Sequence, residues 1–315
     1  MLSKPIYLLG SALALAAIAA GVTLAKITET PESIALAGEE AATGIASETS
    51  LIPASLSQAL PVAFVEQAAT PKASPAEADF IPEPRLEGAG KPFRDRFDRY
   101  RRDRWRISDG WRNGQWTIND WRRSQVEFDK GLTMTLEKRL SSKADYAGAE
   151  LQSHKRFGHG YYEVEMRVAR ASGVVSSFFT YTGPPFGDPW NEIDVEILGR
   201  KPREVMFTYF RGGEKVSHIH QLPFDASQGF HTYAFDWQPE HLRWYVDGRL
   251  VHESSPAEMR FPNLNQRMMT SIWGSDQLTS WVGKFDKSAL PVSMTVTCIA
   301  YAADYASRKP CVEAD

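Results

Sequence analysis

Hydrophobic and polar residues alternate along several short stretches of this 315-residue chain. The clearest of them are TMTLEKRL (133–140), GYYEVEMRVA (160–169), HTYAFDW (231–237) and HLRWYVDGRLVHES (241–254). Because side chains two apart share a face of a strand, each stretch predicts a strand with one buried face. Asp247–Gly248 is a hairpin-turn signal within the last of them. No segment keeps a helical period beyond one or two turns, so the pattern predicts an all-β fold of antiparallel strands, as a sandwich or a barrel.

The stretch WNEIDVEILG (190–199) places acids on one strand face and aliphatic residues on the other. The first face holds Trp190, Glu192, Asp194, Glu196 and Leu198, and the second holds Asn191, Ile193, Val195 and Ile197. Acids are poor strand formers, and neighbouring like charges repel each other, so three in a row need a reason. A solvated outer face is the ordinary explanation. An aromatic ring beside the acids is more typical of a carbohydrate site, where the ring stacks on a sugar.

Hydrolysis of a glycosidic bond needs two carboxyl groups that flank the bond, and a short separation of about 5–5.5 Å gives retention of configuration. Glu192 and Glu196 would have Cα atoms about 13 Å apart on an ideal strand, and on a concave sheet their side chains can lean together. Asp194 lies between them and is shorter. We expect it to hydrogen-bond one glutamate and to help keep the other protonated. Spacing alone leaves catalysis and a solvated face both open.

The amino-terminal residues differ from the rest of the chain. An apolar run from Pro5 to Ala25 follows Lys4, as in a secretory signal, and the run is also long enough to be an uncleaved membrane anchor. Either alternative predicts export. We expect a secreted or periplasmic protein, or one that residues 5–25 anchor to the membrane if the run is not cleaved. Residues 26–90 are rich in Ala, Pro, Ser and Glu and hold no Trp or Tyr, a composition that predicts a disordered linker.

Composition places the folded part in residues 91–315, which hold all nine Trp and both Cys. The whole chain carries −3. Residues 27–90 have ten acids against two bases, and Lys4 and Lys26 add two positive charges, so residues 91–315 carry +3. That charge is too small to argue for nucleic acid. Cys298 and Cys311 form an even pair in an exported protein, which predicts a disulfide, with two free thiols as the alternative.

The acidic stretch and its continuation, WNEIDVEILGRKP, resemble the signature of glycoside hydrolase family 16, in the lichenase-like branch. Further segments resemble bacterial β-1,3-1,4-glucanases: SDGWRNG (108–114), FGHGYYEVEM (157–166), GVVSSFFTYTG (173–183), FHTYAFDWQP (230–239), WYVDG (244–248) and MMTSIWGSDQLTSWVG (268–283). The resemblance implies a β-jelly roll of two antiparallel sheets with an open cleft on the concave face. It also implies that Glu192 is the nucleophile, Asp194 a helper and Glu196 the acid/base.

The resemblance also implies which residues line the cleft. Those carried over by position are Asn113, Phe179, Tyr181, Trp190, Trp273 and Trp281. Three further cleft positions depart from the family pattern: Gln152 stands where lichenases have Arg, and Thr208 and Ser271 each stand where they have Asn. Phe210 likewise replaces a Tyr. Because polar groups in a site decide which hydroxyls are accepted, these changes make mixed-linkage glucan doubtful as the substrate. Succinoglycan endoglycanases are an equally good model, and a positive domain would suit an acidic polysaccharide.

No cofactor is expected. The family's structural calcium remains an alternative, but its usual aspartate is replaced near Thr297. His218 and His220 share a strand face as a candidate metal pair, without a third ligand nearby in the sequence. The run FRDRFDRYRRDRWR (93–106) has seven Arg among its acids and could grip an anionic glycan, although interleaved charges are more often a self-paired surface.

Together these observations predict an exported, retaining endo-glycosidase of a β-glucan or an acidic exopolysaccharide, with a polysaccharide as partner and a monomer as the expected state. Two alternatives stay open: a non-catalytic carbohydrate-binding jelly roll, which has no need of the second glutamate, and a transglycosylase, in which a sugar replaces water.

Overall fold

A computed structural model describes residues 91–140 and 143–312. The predicted signal or anchor (residues 1–25) and the predicted linker (residues 26–90) lie outside the described residues. Strands dominate the described ranges, which hold one four-residue helix, α1 (Thr279–Val282). The strands are β1 (Phe93–Asp95), β2 (Trp105–Ile107), β3 (Asn119–Trp121), β4 (Val126–Phe128), β5 (Leu132–Lys138), β6 (Tyr146–Phe157), β7 (Gly160–Arg167), β8 (Val174–Thr182), β9 (Asn191–Leu198), β10 (Glu204–Arg211), β11 (Glu214–Gln221), β12 (His231–Trp237), β13 (Leu242–Val246), β14 (Arg249–Ser254), β15 (Gln266–Gly274) and β16 (Val292–Ala302).

The strands form two layers that are continuous through β5 and β6. One layer has the order β11-β10-β9-β8-β15-β6, and the other has the order β5-β16-β7-β12-β13-β14. Nearly all pairs are antiparallel; the short strand β3 pairs with β6 in parallel. Strand β2 extends the first layer beyond β6. This arrangement is the predicted jelly-roll sandwich, and it places the acidic strand β9 inside the first layer, with a neighbour on each side.

The inner faces of the two layers meet in an aromatic and aliphatic core. Ile193, Val195 and Ile197 of β9 are fully buried there, as the alternation predicts. Ring contacts join the layers: Phe207 of β10 stacks on Trp244 of β13 with ring centroids 4.8 Å apart. Each such buried side chain stabilises the fold by about 1.5–3 kcal/mol. The core therefore fixes the rotation of β9 and leaves its acidic face pointing away from the second layer.

The carboxyl-terminal tail is fastened to the outside of the second layer. Cys298 of β16 and Cys311 form the predicted disulfide. The Cys311 N–H also donates to Glu163 Oε1 of β7 at 2.8 Å, and burial raises the pKa of that carboxyl. No helix in the described ranges is long and apolar enough to cross a bilayer.

Candidate active site

The acidic face of β9 carries three carboxyl groups with different surroundings. Asp194 is buried, whereas Glu192 and Glu196 on either side of it are partly open to solvent. Two groups hydrogen-bond to Glu192: the indole Nε1 of Trp190 donates to Oε2 at 2.5 Å, and Asp194 shares a side-chain hydrogen bond with it. Glu192 is therefore held by two donors, and Glu196 stands apart from that network.

These surroundings separate the protonation states of the three groups. Burial raises the pKa of Glu192 to about 7, while the hydrogen bonds from Trp190 and Asp194 act in the opposite direction because they favour the charged form. Burial, and then the negative charge of Glu192, raise the pKa of Glu196 to about 8. Burial and the charges of both glutamates raise the pKa of Asp194 well above its usual range. The hydrogen bonds to Glu192 thus favour its charged form, and the charge of Glu192 favours the protonated forms of its two neighbours.

This assignment refines the prediction for Asp194. The sequence suggests that the charge of Asp194 helps to keep Glu196 protonated, but the charge that raises the pKa of Glu196 is that of Glu192. The hydrogen bond with Glu192 also raises the pKa of Asp194, which is the direction expected when Asp194 is the donor. Lys215, on the edge strand β11, lowers the pKa of both Asp194 and Glu196.

An aromatic platform adjoins Glu192. Trp190 is 41% exposed, and its ring stacks on Phe210 of β10 with centroids 4.6 Å apart and planes inclined by 12°. Phe210 is also the register partner of Glu192. The open ring of Trp190 is thus fixed by a hydrogen bond to Glu192 and by stacking, which suits a surface that packs against a sugar.

The neighbouring strands add rows of side chains to the same face, which we call the open face: the side of β10, β9, β8, β15 and β6 that points away from the core. Their register places predicted cleft residues beside the carboxyl groups. Tyr181 is opposite Glu192, and both Phe179 and Thr208 are opposite Asp194. Burial and the charge of Glu192 raise the pKa of Tyr181 to about 12, so its hydroxyl keeps its proton.

The polar residues of the open face are bonded to one another. Ser271 of β15 shares a hydrogen bond with Ser177 of β8, at 2.8 Å between the two Oγ atoms, and Ser177 is the register partner of Glu196. Thr208 shares one with Ser217 at 3.0 Å. At Thr208 and Ser271 the resemblance implies a longer polar side chain, Asn. This chain has short hydroxyl side chains there, and both hydroxyls already have hydrogen-bond partners.

Glu150 of β6 is a functional candidate that is not among the residues predicted from the sequence. It is buried on the open face and accepts hydrogen bonds at 2.6 Å from Ser108 Oγ and from Gln152 Nε2. Burial raises the pKa of Glu150, and its charge in turn helps to raise the pKa of Glu192. The signal was available: Ala149-Glu150-Leu151-Gln152 alternates, which puts Glu150 on the same strand face as Gln152.

The three remaining predicted cleft residues lie near one end of the open face, in a cluster of tryptophans. Trp273 packs against Trp281 and Trp116, with centroids 5.9 and 5.1 Å apart. Asn113 accepts a hydrogen bond at 3.0 Å from the indole of Trp121, which is a core member of the same cluster. Trp273 is almost fully buried and Trp281 half-buried, so Trp281 has the more accessible ring.

The residues of the two metal hypotheses have contacts with other side chains. Within residues 91–140 and 143–312, no three His, Cys, Asp or Glu side chains are grouped to hold a metal ion. His218 stacks face to face on His252, with centroids 3.7 Å apart. Near the expected calcium position, the Thr297 hydroxyl donates to Glu165 Oε2 at 2.7 Å.

Comparisons with known proteins agree with this geometry. Residues 113–289 match the model for glycosyl hydrolases family 16. The chain is 40% identical over 204 residues to a β-glucanase of Paenibacillus polymyxa, covering 63% of this chain and 82% of the relative. It is 39% identical over 218 residues to the endo-1,3-1,4-β-glycanase ExoK of Rhizobium meliloti, covering 68% of this chain and 79% of the relative. A crystal structure of a lichenase from a mouse hindgut metagenome superimposes with a TM-score of 0.65 at 36% identity, covering 68% of this chain and all of that one.

Proposed function

The chain belongs to glycosyl hydrolase family 16, and from that membership we propose that it is an exported, retaining endo-glycosidase that cleaves internal β-linkages of a polysaccharide. The observation that carries the proposal is the acidic face of β9. Two glutamates whose pKa burial raises toward neutrality lie on the same strand face, where hydrogen bonds favour the charged form of Glu192 and the charge of Glu192 favours the protonated form of Glu196, beside an exposed tryptophan. A carbohydrate-binding protein without catalysis has no need for two such carboxyl groups.

In the first step, Glu196 donates its proton to the glycosidic oxygen as the bond to the anomeric carbon breaks. A carboxylate oxygen of Glu192 attacks that carbon from the opposite side and forms a glycosyl-enzyme ester. In the second step, the ionised Glu196 takes a proton from water, and the water oxygen displaces Glu192. Two inversions give overall retention, and both carboxyl groups return to their starting states.

Asp194 and Trp190 prepare Glu192 for this role. Each donates a hydrogen bond to Glu192, and both bonds favour its ionised form. When Glu192 becomes an ester, its negative charge disappears, and with it the repulsion that raises the pKa of Glu196. Glu196 can then lose its proton more easily and act as the base in the second step.

The substrate class is proposed from the relatives and from the polar residues of the cleft. The relatives are named β-glucanases and an endo-1,3-1,4-β-glycanase, which favours a β-glucan backbone. Gln152, Thr208 and Ser271 stand at positions where the resemblance expects other polar side chains, and they bond to their neighbours. We therefore propose either a β-glucan or an acidic exopolysaccharide, with the catalytic domain at residues 91–315, the linker at 26–90 and export directed by residues 1–25.

A reducing-end assay over barley β-glucan, laminarin, succinoglycan and agar tests the proposal. We expect new reducing ends from at least one β-glucan or from succinoglycan, with a rapid fall in viscosity because internal bonds are cut. Glu192→Gln should abolish the signal. Binding of these polysaccharides without hydrolysis by the wild type, or equal rates for wild type and Glu192→Gln, would contradict the proposal and favour a binding module.

A further inference from the structure

A recess of about 410 Å³ lies beside β2, at the edge of the first layer. Tyr100, Arg102, Trp105, Arg106, Arg123 and His154 line it. Three arginines therefore surround one space, together with an imidazole. None of these residues takes part in the chemistry proposed for β9.

The arginines of the recess differ from their neighbours in the same segment. Arg101 and Arg104 both pair with the buried Asp95, each at 3.2 Å. Among the described residues, the guanidinium groups of Arg102, Arg106 and Arg123 have no acidic partner within ion-pair distance. Within the run of alternating charges, Arg101 and Arg104 are thus paired, whereas Arg102 and Arg106, which line the recess, have no salt bridge.

The recess also has a fixed framework. The Tyr100 hydroxyl donates to the Trp105 carbonyl at 3.0 Å, and Arg102 and Arg123 lie over the Tyr100 ring, 5.6 and 5.9 Å from its centroid. The His154 ring is within hydrogen-bond distance of the Arg102 carbonyl, at 3.1 Å. The arginines are therefore gathered around an aromatic wall rather than spread over the surface.

Arg106 connects the recess to the open face. It is the register partner of Gln152, and its charge reaches both Glu150 and Arg267 on that face. The row from Asp194 through Phe179, Met269 and Gln152 to Arg106 crosses four strand spacings, about 19 Å. A polysaccharide chain could therefore run across the strands from the catalytic carboxyl groups to the recess. The sugar at the recess would lie several sugar units from the bond that is cleaved.

We propose that this recess binds a carboxylate, or another anionic substituent, on the polysaccharide that occupies the open face. Like charges that line one space without salt-bridge partners repel each other, and a bound anion weakens that repulsion. The planar guanidinium group also matches a carboxylate with two parallel hydrogen bonds. This inference rests on the proposed function, and it selects the acidic member of the two substrate classes.

The test uses one glucan in two forms, neutral barley β-glucan and its carboxymethylated derivative. Binding is measured by affinity electrophoresis in the Glu192→Gln background, so that no substrate is consumed. The double variant Arg102→Gln/Arg106→Gln should weaken binding of the carboxymethylated form roughly three- to tenfold, the range expected for two exposed ion pairs. Binding of neutral glucan should be unchanged. The matched control, Arg249→Gln/Lys287→Gln, removes two exposed charges that do not line the recess, one at the start of β14 and one between α1 and β16, and it should behave like the background.

Salt provides an independent check, because exposed charges are screened over about 10 Å at 0.1 M and about 3 Å at 1 M. The preference for carboxymethylated glucan should disappear at 1 M NaCl. Equal weakening on both glucans, or equal effects of the two double variants, would overturn the proposal. The proposal would also be overturned if the double variant Arg102→Gln/Arg106→Gln lost binding to anionic phospholipid vesicles but kept its binding to carboxymethylated glucan. That result would indicate a membrane contact. If the wild type hydrolyses no polysaccharide, the proposed function fails, while the binding comparison still decides the role of the recess.

Discussion

The raised pKa of Glu196 has a consequence for stability as well as for catalysis. A free glutamate has its pKa near 4.5, and in the folded protein the pKa of Glu196 is about 8. The folded state thus binds the proton more tightly than the unfolded state. The stability contributed by this group is present in full below pH 4.5 and is lost as the pH rises through about 8. Replacing Glu196 by Gln, which stays neutral, should remove the loss.

The size of the effect follows from the same values. A pKa raised from 4.5 to about 8 corresponds to about 5 kcal/mol, at about 1.4 kcal/mol for each pH unit. Glu196 keeps part of its surface in water, which screens its charge, and much of the repulsion comes from Glu192, which can take up a proton instead. We therefore expect Glu196→Gln to stabilise the fold by about 1–2 kcal/mol at pH 9, or roughly 3–6 °C in melting temperature, with almost no change at pH 5.

Thermal unfolding of wild type and variant from pH 5 to 9 measures this difference. Glu214→Gln is the control, because Glu214 is exposed on the edge strand β11, and that variant should show no dependence on pH beyond the wild type. A Glu196→Gln protein that is equally stabilised at pH 5 and pH 9, or that is destabilised at pH 9, would refute the electrostatic account of the site.

Three further predictions concern activity and the limits of the folded part. The pH profile of hydrolysis should be bell-shaped, with apparent values near 7 and 8 that belong to the coupled pair Glu192 and Glu196; a profile flat from pH 6 to 9 would contradict it. Replacing Cys298 and Cys311 by Ser should cost about 3 kcal/mol in the chain-entropy model, measured by urea unfolding; an unchanged midpoint would refute the role of the disulfide. A chain that begins at Pro92 should match the longer one in melting temperature and turnover, and a large drop in either would contradict the linker hypothesis.

Much of the fold could be predicted from alternation alone. The stretch 160–169 is strand β7, Gly160–Arg167, and the Asp247–Gly248 signal is the turn between β13 and β14. Asp247 has φ 47°, a left-handed conformation that a short polar residue tolerates in such a turn. These signals are local, because the pattern of one strand and the chemistry of one turn decide them.

What could not be predicted depends on partners that are distant in sequence. Glu150 meets Ser108 only because β6 lies beside the segment that contains β2. The division of the Arg run into paired and unpaired members depends on which arginines reach the buried Asp95. The pKa of Glu196 is raised by the charge of Glu192 and not by that of Asp194. This could not be predicted without the hydrogen bond between Asp194 and Glu192. Residue types alone do not settle such pairings.

The roles of the two glutamates are tested most directly by azide rescue of two alanine variants, with the product configuration read by proton NMR. The substrate is an aryl glycoside of the accepted oligosaccharide, whose leaving group needs little protonation. Glu196→Ala should form the glycosyl-enzyme and give a glycosyl azide of retained configuration. Glu192→Ala should form no ester, and any azide product should have inverted configuration. A retained azide product from Glu192→Ala, or hydrolysis by that variant at wild-type rates, would contradict the assignment of Glu192 as nucleophile.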